Sequence, residues 1–205
     1  GSGKIDISIK AGDPDLDTGR AKIEYAAGAA CVFSPPLDPE LDTGNVQSTY
    51  GVAAVTNADS YQVGNIVTSP ATNTVAFDWL TRPYLDDADE AYCLRLTVND
   101  GMDDQAVATT AVVTIDNKAP SAPGSLTALD TTSNTVTLEF HATSSHTHFA
   151  RYRIFYKPGT SGVTEAHSQH SDDDLLNKDF NFTGSTEVGG LDSNTDYVFN
   201  IWAYD

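Results

Sequence analysis

The chain has 205 residues, enough for two domains of roughly 100 residues that each bury a core of their own. Its 29 Asp and Glu against 11 Lys and Arg give a formal charge of -18, which repels nucleic acid and anionic lipid surfaces and attracts cations. No apolar run approaches the roughly 20 residues that cross a bilayer and no basic, apolar leader opens the chain, so the sequence reads as a mature or excised soluble segment with no membrane insertion.

In chain order, "KIDISIKA", "AKIEYAA", "NTVAFDWL", "YCLRLTVND", "AVATTAVVTID", "NTVTLEF", "RYRIFYK" and "DYVFNIWAYD" are short, rich in Val, Ile, Thr, Tyr and Phe, and several alternate with period two. Helical periodicity is absent, so the fold class is all-β, with two antiparallel β-sandwich domains. In "RYRIFYK" the residues Tyr152, Ile154 and Tyr156 share one face and Arg151, Arg153 and Phe155 the other; Tyr197, Phe199, Ile201 and Ala203 share a face in the last segment. The stretch from Phe33 to Pro70 carries few strand signals and reads as elaborated loops. The seam is "TIDNKAPSAPGSLTAL", where Pro120 and Pro123 stiffen a connector; the first domain is residues 1–119 and the second 120–205.

The acidic residues are grouped. "DPDLDTG" places Asp13, Asp15 and Asp17 at alternate positions before Gly19. Calcium takes six to eight oxygens, and carboxylates at alternate positions on a loop with a turn glycine can wrap several around one ion. An acidic solvated turn is the other reading, since Asp-Pro and Thr-Gly are ordinary turn chemistry. A near-copy, "DPELDTG", offers Asp38, Glu40 and Asp42 before Gly44, and no strand signal of the first kind follows it. "VNDGMDDQ" puts Asp100, Asp103 and Asp104 on a hairpin whose Asp-Gly step supplies positive φ. In an Ig-like sandwich this hairpin, between the sixth and seventh strands, is expected at the same end as the loop between the second and third, so that ligands from separate loops would converge. "YLDDADEAY", with Asp86, Asp87, Asp89 and Glu90, reads as solvated.

Cys31 and Cys93 are the only cysteines. Either they form one disulfide in an oxidising compartment or they are buried free thiols; closing a loop of about 60 residues contributes roughly 4 kcal/mol on the chain-entropy model. All five histidines, His141, His146, His148, His167 and His170, fall in the second half; on a strand His146 and His148 would share a face at a spacing suited to a transition metal, but "TSSHTHFA" reads as a loop and "EAHSQHSDDD" as an exposed insertion. Trp79, Tyr84 and Trp202 are aromatic platforms for sugar stacking if exposed and core residues if not. Asn181 opens the glycosylation sequon "NFT". No nucleophile, base and orienting group stand in a recognisable catalytic arrangement, so the chain reads as a non-enzyme.

From Ser121 to Asp205 the sequence resembles a bacterial fibronectin type III domain, carried by "PSAPGSLTALDTTSNTVTLEF", "RYRIFYK" and "LDSNTDYVFNIWAYD". The resemblance implies that Leu191 and Tyr197 form a corner in which the tyrosine hydroxyl bonds the backbone across a turn. Leu138 or Phe140 stands where the family has a B-strand Trp, and the sequence stops at "AYD", before the family's final strand. The first half resembles the Ig-like repeats of large bacterial surface proteins, through "AGDPDLDTGRAKIEYAAG", "VAFDWL", "AYCLRLTVNDG" and "VTIDNKAP". The last string is also similar to cadherin linkers, where such residues help hold calcium between successive domains, which implies Asp116 as a further ligand.

Together these readings lead to an expected role: a structural or adhesive module of an extracellular surface protein, in a stalk, surface layer or filament, stiffened by calcium. Its partners would be neighbouring domains of the same or an identical chain, or surface proteins or glycans. The alternative is an accessory glycan-binding or spacer module of a secreted polysaccharide-degrading enzyme.

Overall fold

The computed structural model describes residues 3–141, 144, 146–176 and 183–205. It is built from antiparallel strands, and the described residues include one short 3-10 turn and no α-helix. The chain divides into two compact units, Gly1–Lys118 and Ala119–Asp205.

In the first unit β1 (Lys4–Ala11), β6 (Asn73–Leu80) and β3 (Gln47–Ser48) form one sheet in the order β1-β6-β3. The second sheet is β4 (Ala54–Val55), β5 (Val63–Val67), β2 (Thr18–Ala27), β7 (Asp89–Asn99) and β8 (Thr109–Asp116), in that order. The period-two pattern aims one face of each strand inward. Ile9 and Ala11 of β1, Val75, Phe77 and Trp79 of β6, Ala21, Ile23 and Tyr25 of β2 and Tyr92 and Leu94 of β7 are buried in one core. Trp79 stacks against Tyr25, with ring centroids 4.9 Å apart. It is 1% exposed, so it is a core residue and no sugar platform.

The loop-rich stretch holds only β3, β4 and β5, and side-chain amides take over the hydrogen bonding that strands would supply. Gln62, buried beside β2, donates to the Ile23 carbonyl at 3.0 Å and accepts the Ile23 N–H at 2.9 Å. Asn57 does the same for Leu41, at 2.9 Å in both directions. Buried Asn73 accepts from the Thr49 and Tyr50 backbone and from Ser48, and donates to the Tyr50 carbonyl. These bonds let Leu41 sit in the core as a bridge partner of Trp79.

The outer face of β2 and β7 is also covered. A disulfide joins Cys31 to Cys93, with Cα atoms 5.1 Å apart, and the segment beyond it returns to pair Leu37 with Tyr25. Arg95 lies between the Phe33 ring, 4.3 Å from its guanidinium carbon, and the Glu24 carboxylate, 2.7 Å away. Lys22 adds a second ion pair to Glu24 at 2.7 Å. Burial pushes the Glu24 carboxyl up, and the bonds from Lys22 and Arg95 outweigh it, so the net shift is downward.

The second unit packs β9 (Leu126–Thr131), β10 (Val136–His141) and β13 (Thr183–Val188) as β13-β10-β9, and β11 (Arg151–Pro158), β12 (Ser168–His170) and β14 (Tyr197–Tyr204) as β12-β11-β14. Leu138, Phe140, Tyr152, Ile154, Val188 and Ile201 form its core, joined by Leu175 from the 3-10 turn Asp174–Leu176. Leu138 and Phe140 are both buried in this core. The Tyr197 hydroxyl accepts the Asp192 N–H at 3.1 Å beside buried Leu191, which is the corner the sequence implies. Phe155, on the face opposite the core, is buried by edge contact with Trp202 at 5.3 Å. The histidine-bearing insertion is not all exposed loop: Ser168–His170 is β12, and half-buried His170 bonds Thr186 at 2.7 Å.

Two outcomes test this account. Replacing Gln62 with Leu strands the Ile23 N–H and C=O in the core and lowers the unfolding free energy by roughly 2–4 kcal/mol, as read by urea denaturation. Glu24, ionised more readily in the folded state, contributes stability that is complete above the unfolded carboxyl value of about 4.3 and is lost as pH falls through the lower folded value. Melting temperature measured against pH therefore declines less steeply below about pH 4 in Glu24→Gln than in the parent.

Candidate functional site

The loop joining β1 to β2 and the hairpin joining β7 to β8 lie side by side at one end of the first unit. Between them is a cleft of about 270 Å³ to which Asp13, Asp100, Asp103 and Asp104 contribute, with Lys10 as the cation among its lining residues. This end of the sandwich thus brings the first acidic loop and the acidic hairpin together.

Each loop is built by its own aspartates. Asp13 Oδ1 accepts the Asp15 N–H at 2.9 Å, and Leu16 turns the chain with φ 63°. Gly19 is therefore not the turn residue the pattern suggested. It lies in β2, where a Cβ would come 3.2 Å from the Asn99 carbonyl oxygen, so a close approach of backbones demands it. On the hairpin, Gly101 has φ 104° and its N–H bonds Asn99 Oδ1 at 2.9 Å. Asp100 Oδ1 accepts the Met102 and Asp103 N–H groups, both at 2.8 Å, and these bonds hold its carboxyl below the usual range.

At the hairpin base, Asp104 Oδ1 accepts the Tyr61 hydroxyl and, at 2.8 Å, Asn99 Nδ2. Those bonds lower the Asp104 carboxyl pKa. Arg20 donates to Asn99 Oδ1 at 3.1 Å and lies over the Tyr61 ring at 4.3 Å. In Asp13, Asp100 and Asp104 the loop-forming bonds all use Oδ1. Of the cleft carboxyls, Asp100 and Asp104 are thus lowered by their hydrogen bonds, and no signal in the sequence marked Tyr61, Asn99 or Arg20 as supports of Asp104.

The expected ligands separate into three places. Asp15 and Asp17 are exposed and do not line the cleft; the Asp17 carbonyl instead accepts the Thr68 hydroxyl at 2.5 Å. Asp116 stands opposite Asp89 at the other end of the β7–β8 ladder. Its neighbour Asn117 is buried and clamps Thr81 and the Leu85 carbonyl at 2.9 and 2.8 Å. Among the described residues of the first unit, no three acidic side chains bring one oxygen each within 4.8 Å of one another. The cleft is a concentrated negative field, wider than a closed coordination sphere.

The near-copy does something else. Asp42 pairs with Lys4 at 2.7 Å and caps the Gly44 N–H at 3.0 Å, which lowers its carboxyl pKa. Glu40 accepts from Asn57 at 3.1 Å. "DPELDTG" is a brace that seats Leu41 against β6. Asp86, Asp87, Asp89 and Glu90 line a separate shallow cleft with Tyr84 and Lys118; Tyr84 is 65% exposed.

In the second unit His146 and His148 have ring centroids 5.9 Å apart, and His146 Nδ1 accepts the His148 N–H at 3.2 Å. His167 bonds the Thr164 N–H at 2.9 Å. His141 bonds Thr183 at 2.8 Å. Burial pushes the His170 imidazole down, partly countered by Asp172. The sequon residue Asn181 lies outside the described residues.

No curated protein sequence matches the chain. Among solved structures it is similar to the FN1–FN3 domains of chicken CNTN1, at 13% identity and a TM-score of 0.44, covering 92% of this chain and 51% of that one. It is also similar to a two-domain fibronectin type III segment of chicken tenascin, at 15% identity and a TM-score of 0.33, covering 97% and 90%. The chain spans about half the length of the CNTN1 fragment. Residues 121–205 match the family model of the fibronectin type III domain.

Proposed function

We propose that this chain is a non-catalytic structural or adhesive segment of an extracellular surface protein, in which an immunoglobulin-like unit precedes the fibronectin type III module and calcium stiffens the first unit. The observation that carries the reading is the pairing of two sandwich units, each with its own core, with a disulfide in the first and a fibronectin type III match over the second. Disulfides persist in oxidising compartments. A role as spacer or adhesive element needs only rigid folding and a surface.

The cleft supports the calcium part. Carboxylates held ionised repel one another, and a hard cation that binds the folded state relieves that repulsion. Asp13, Asp100, Asp103 and Asp104 are the residues that would hold it. The lowered carboxyls of Asp100 and Asp104 speak against their acting as general acids, since a general acid needs a raised pKa. The glycan-binding alternative is left with Tyr84 as its exposed aromatic, Trp79 being in the core.

Saturating calcium should raise the melting temperature of the first unit over its value in EDTA by roughly 5–10 °C, and Asp100→Asn with Asp103→Asn should abolish the difference. A melting curve indifferent to chelation in the parent would remove calcium from the reading. For the compartment, thiol titration of the unfolded, unreduced protein taken from its native source should find no free thiol; two free thiols would place the chain in a reducing environment.

A further inference from the structure

The outer strands of the two units are mostly protected against pairing with another chain. β3 and β4 have two residues each and β12 has three. β1 carries Lys4, Asp6 and Lys10; β9 carries Asp130 and a register shift where it meets β10; β13 carries Glu187. Short length, charge and irregularity are the usual devices that stop edge-to-edge association.

β8 has almost none of them, its one charge being Asp116 at the last position. It is eight residues long, pairs in regular register with β7 on one side, and is an edge of its sheet on the other. Residues 105–115 contain no charged side chain and no proline, in a chain of net charge -18. Six of the eight β8 residues are Thr, Val or Ile, and such runs have high strand propensity. Val112 is 51% exposed. Beside β8 lies a small apolar groove of about 140 Å³, to which Ile7, Ile9, Leu94, Leu96 and Ala111 contribute. β14 also lacks charge, but the cleft beside it is lined largely by the polar loops 131–135 and 192–196.

The hydrogen-bonding direction of β8 follows from its ladder. The Ala91 carbonyl accepts from Gly28, on the β2 side, and the Ala88 carbonyl accepts from Asn117, on the β8 side. Alternation along an antiparallel ladder then turns the N–H and C=O groups of Thr110, Val112 and Thr114, opposite Arg95, Cys93 and Ala91, to the open edge. An antiparallel copy of β8 centred on Val112 sets Val112 against Val112 and Thr110 against Thr114, so every outward group meets an outward group. The same register sets Val113 of one copy opposite Ala111 of the other. Ala111 and Val113 lie on the core-facing side, opposite Leu94 and Tyr92, so each copy's valine falls at the apolar groove beside the other's alanine.

We infer that β8 is a homotypic pairing edge, on which a second copy of this chain adds its own β8 antiparallel across a twofold axis at Val112. The self-complementary register and the uncharged window select a second copy over a foreign strand. Two molecules of charge -18 approach with least repulsion where neither presents charge, and the remaining long-range repulsion makes the association weak at low salt. The inference stands independently of calcium and of the spacer role.

Sedimentation velocity of the whole chain, run from micromolar to millimolar concentration at low and high salt in EDTA, tests it. The expected result is a monomer–dimer equilibrium that strengthens with salt. Val112→Lys, at an exposed outward position, should weaken it on the order of tenfold or more with an unchanged melting temperature. Hydrogen exchange at the Thr110, Val112 and Thr114 amides should slow as the parent dimerises. A monomer under all conditions, a dimer indifferent to Val112→Lys, or a dimer that leaves those three amides unprotected would overturn the assignment.

Discussion

The first unit depends on one constraint: a backbone N–H or C=O taken out of water must find a partner. A long segment with few strands covers the sandwich, and a covering segment that buries its backbone without ladders would be costly. Asn57, Gln62, Asn73 and Asn117 resolve this by presenting an amide that copies the donor and acceptor of a strand residue. With those bonds made, Leu41 can enter the core beside Trp79 and the disulfide segment can close over β7. The hydrophobic core and the irregular cover are therefore one cooperative construction.

The same economy governs the acidic residues. Most carboxylates that touch the fold are spent on local tasks: Asp13 and Asp100 form turns, Asp42 braces Lys4, Glu24 holds Arg95. Their lowered pKa values, where they occur, follow from those bonds. What is left over is a negative field, to which the cleft between the β1–β2 loop and the β7–β8 hairpin contributes four aspartates. Net negative charge also throws the uncharged stretch of β8 into relief, because local like-charge contacts between two copies are fewest there.

Strand patterning and turn chemistry made the architecture readable from the sequence. Alternation in "NTVAFDWL" aims Val75, Phe77 and Trp79 inward, and "NDG" gives Gly101 its positive φ. Of the candidate site, Asp13, Asp100, Asp103 and Asp104 were each legible as candidate ligands, although their meeting in one cleft came from the fold. The separation of Asp15, Asp17 and Asp116 from them was not, because spacing along a chain does not say which carboxylate turns back to bond its own backbone.

By itself the sequence determined the all-β class and the strongly negative charge, since periodicity and net charge are properties of the chain, while the corner built on Leu191 and Tyr197 followed from a family resemblance. Only the tertiary structure decided that Gly19 answers to the Asn99 carbonyl, that Gln62 pairs with Ile23 and that the second acidic copy is a brace. Each of these joins residues at least 38 positions apart. Their energies arise from close approach and burial, and those exist once the two sheets have packed.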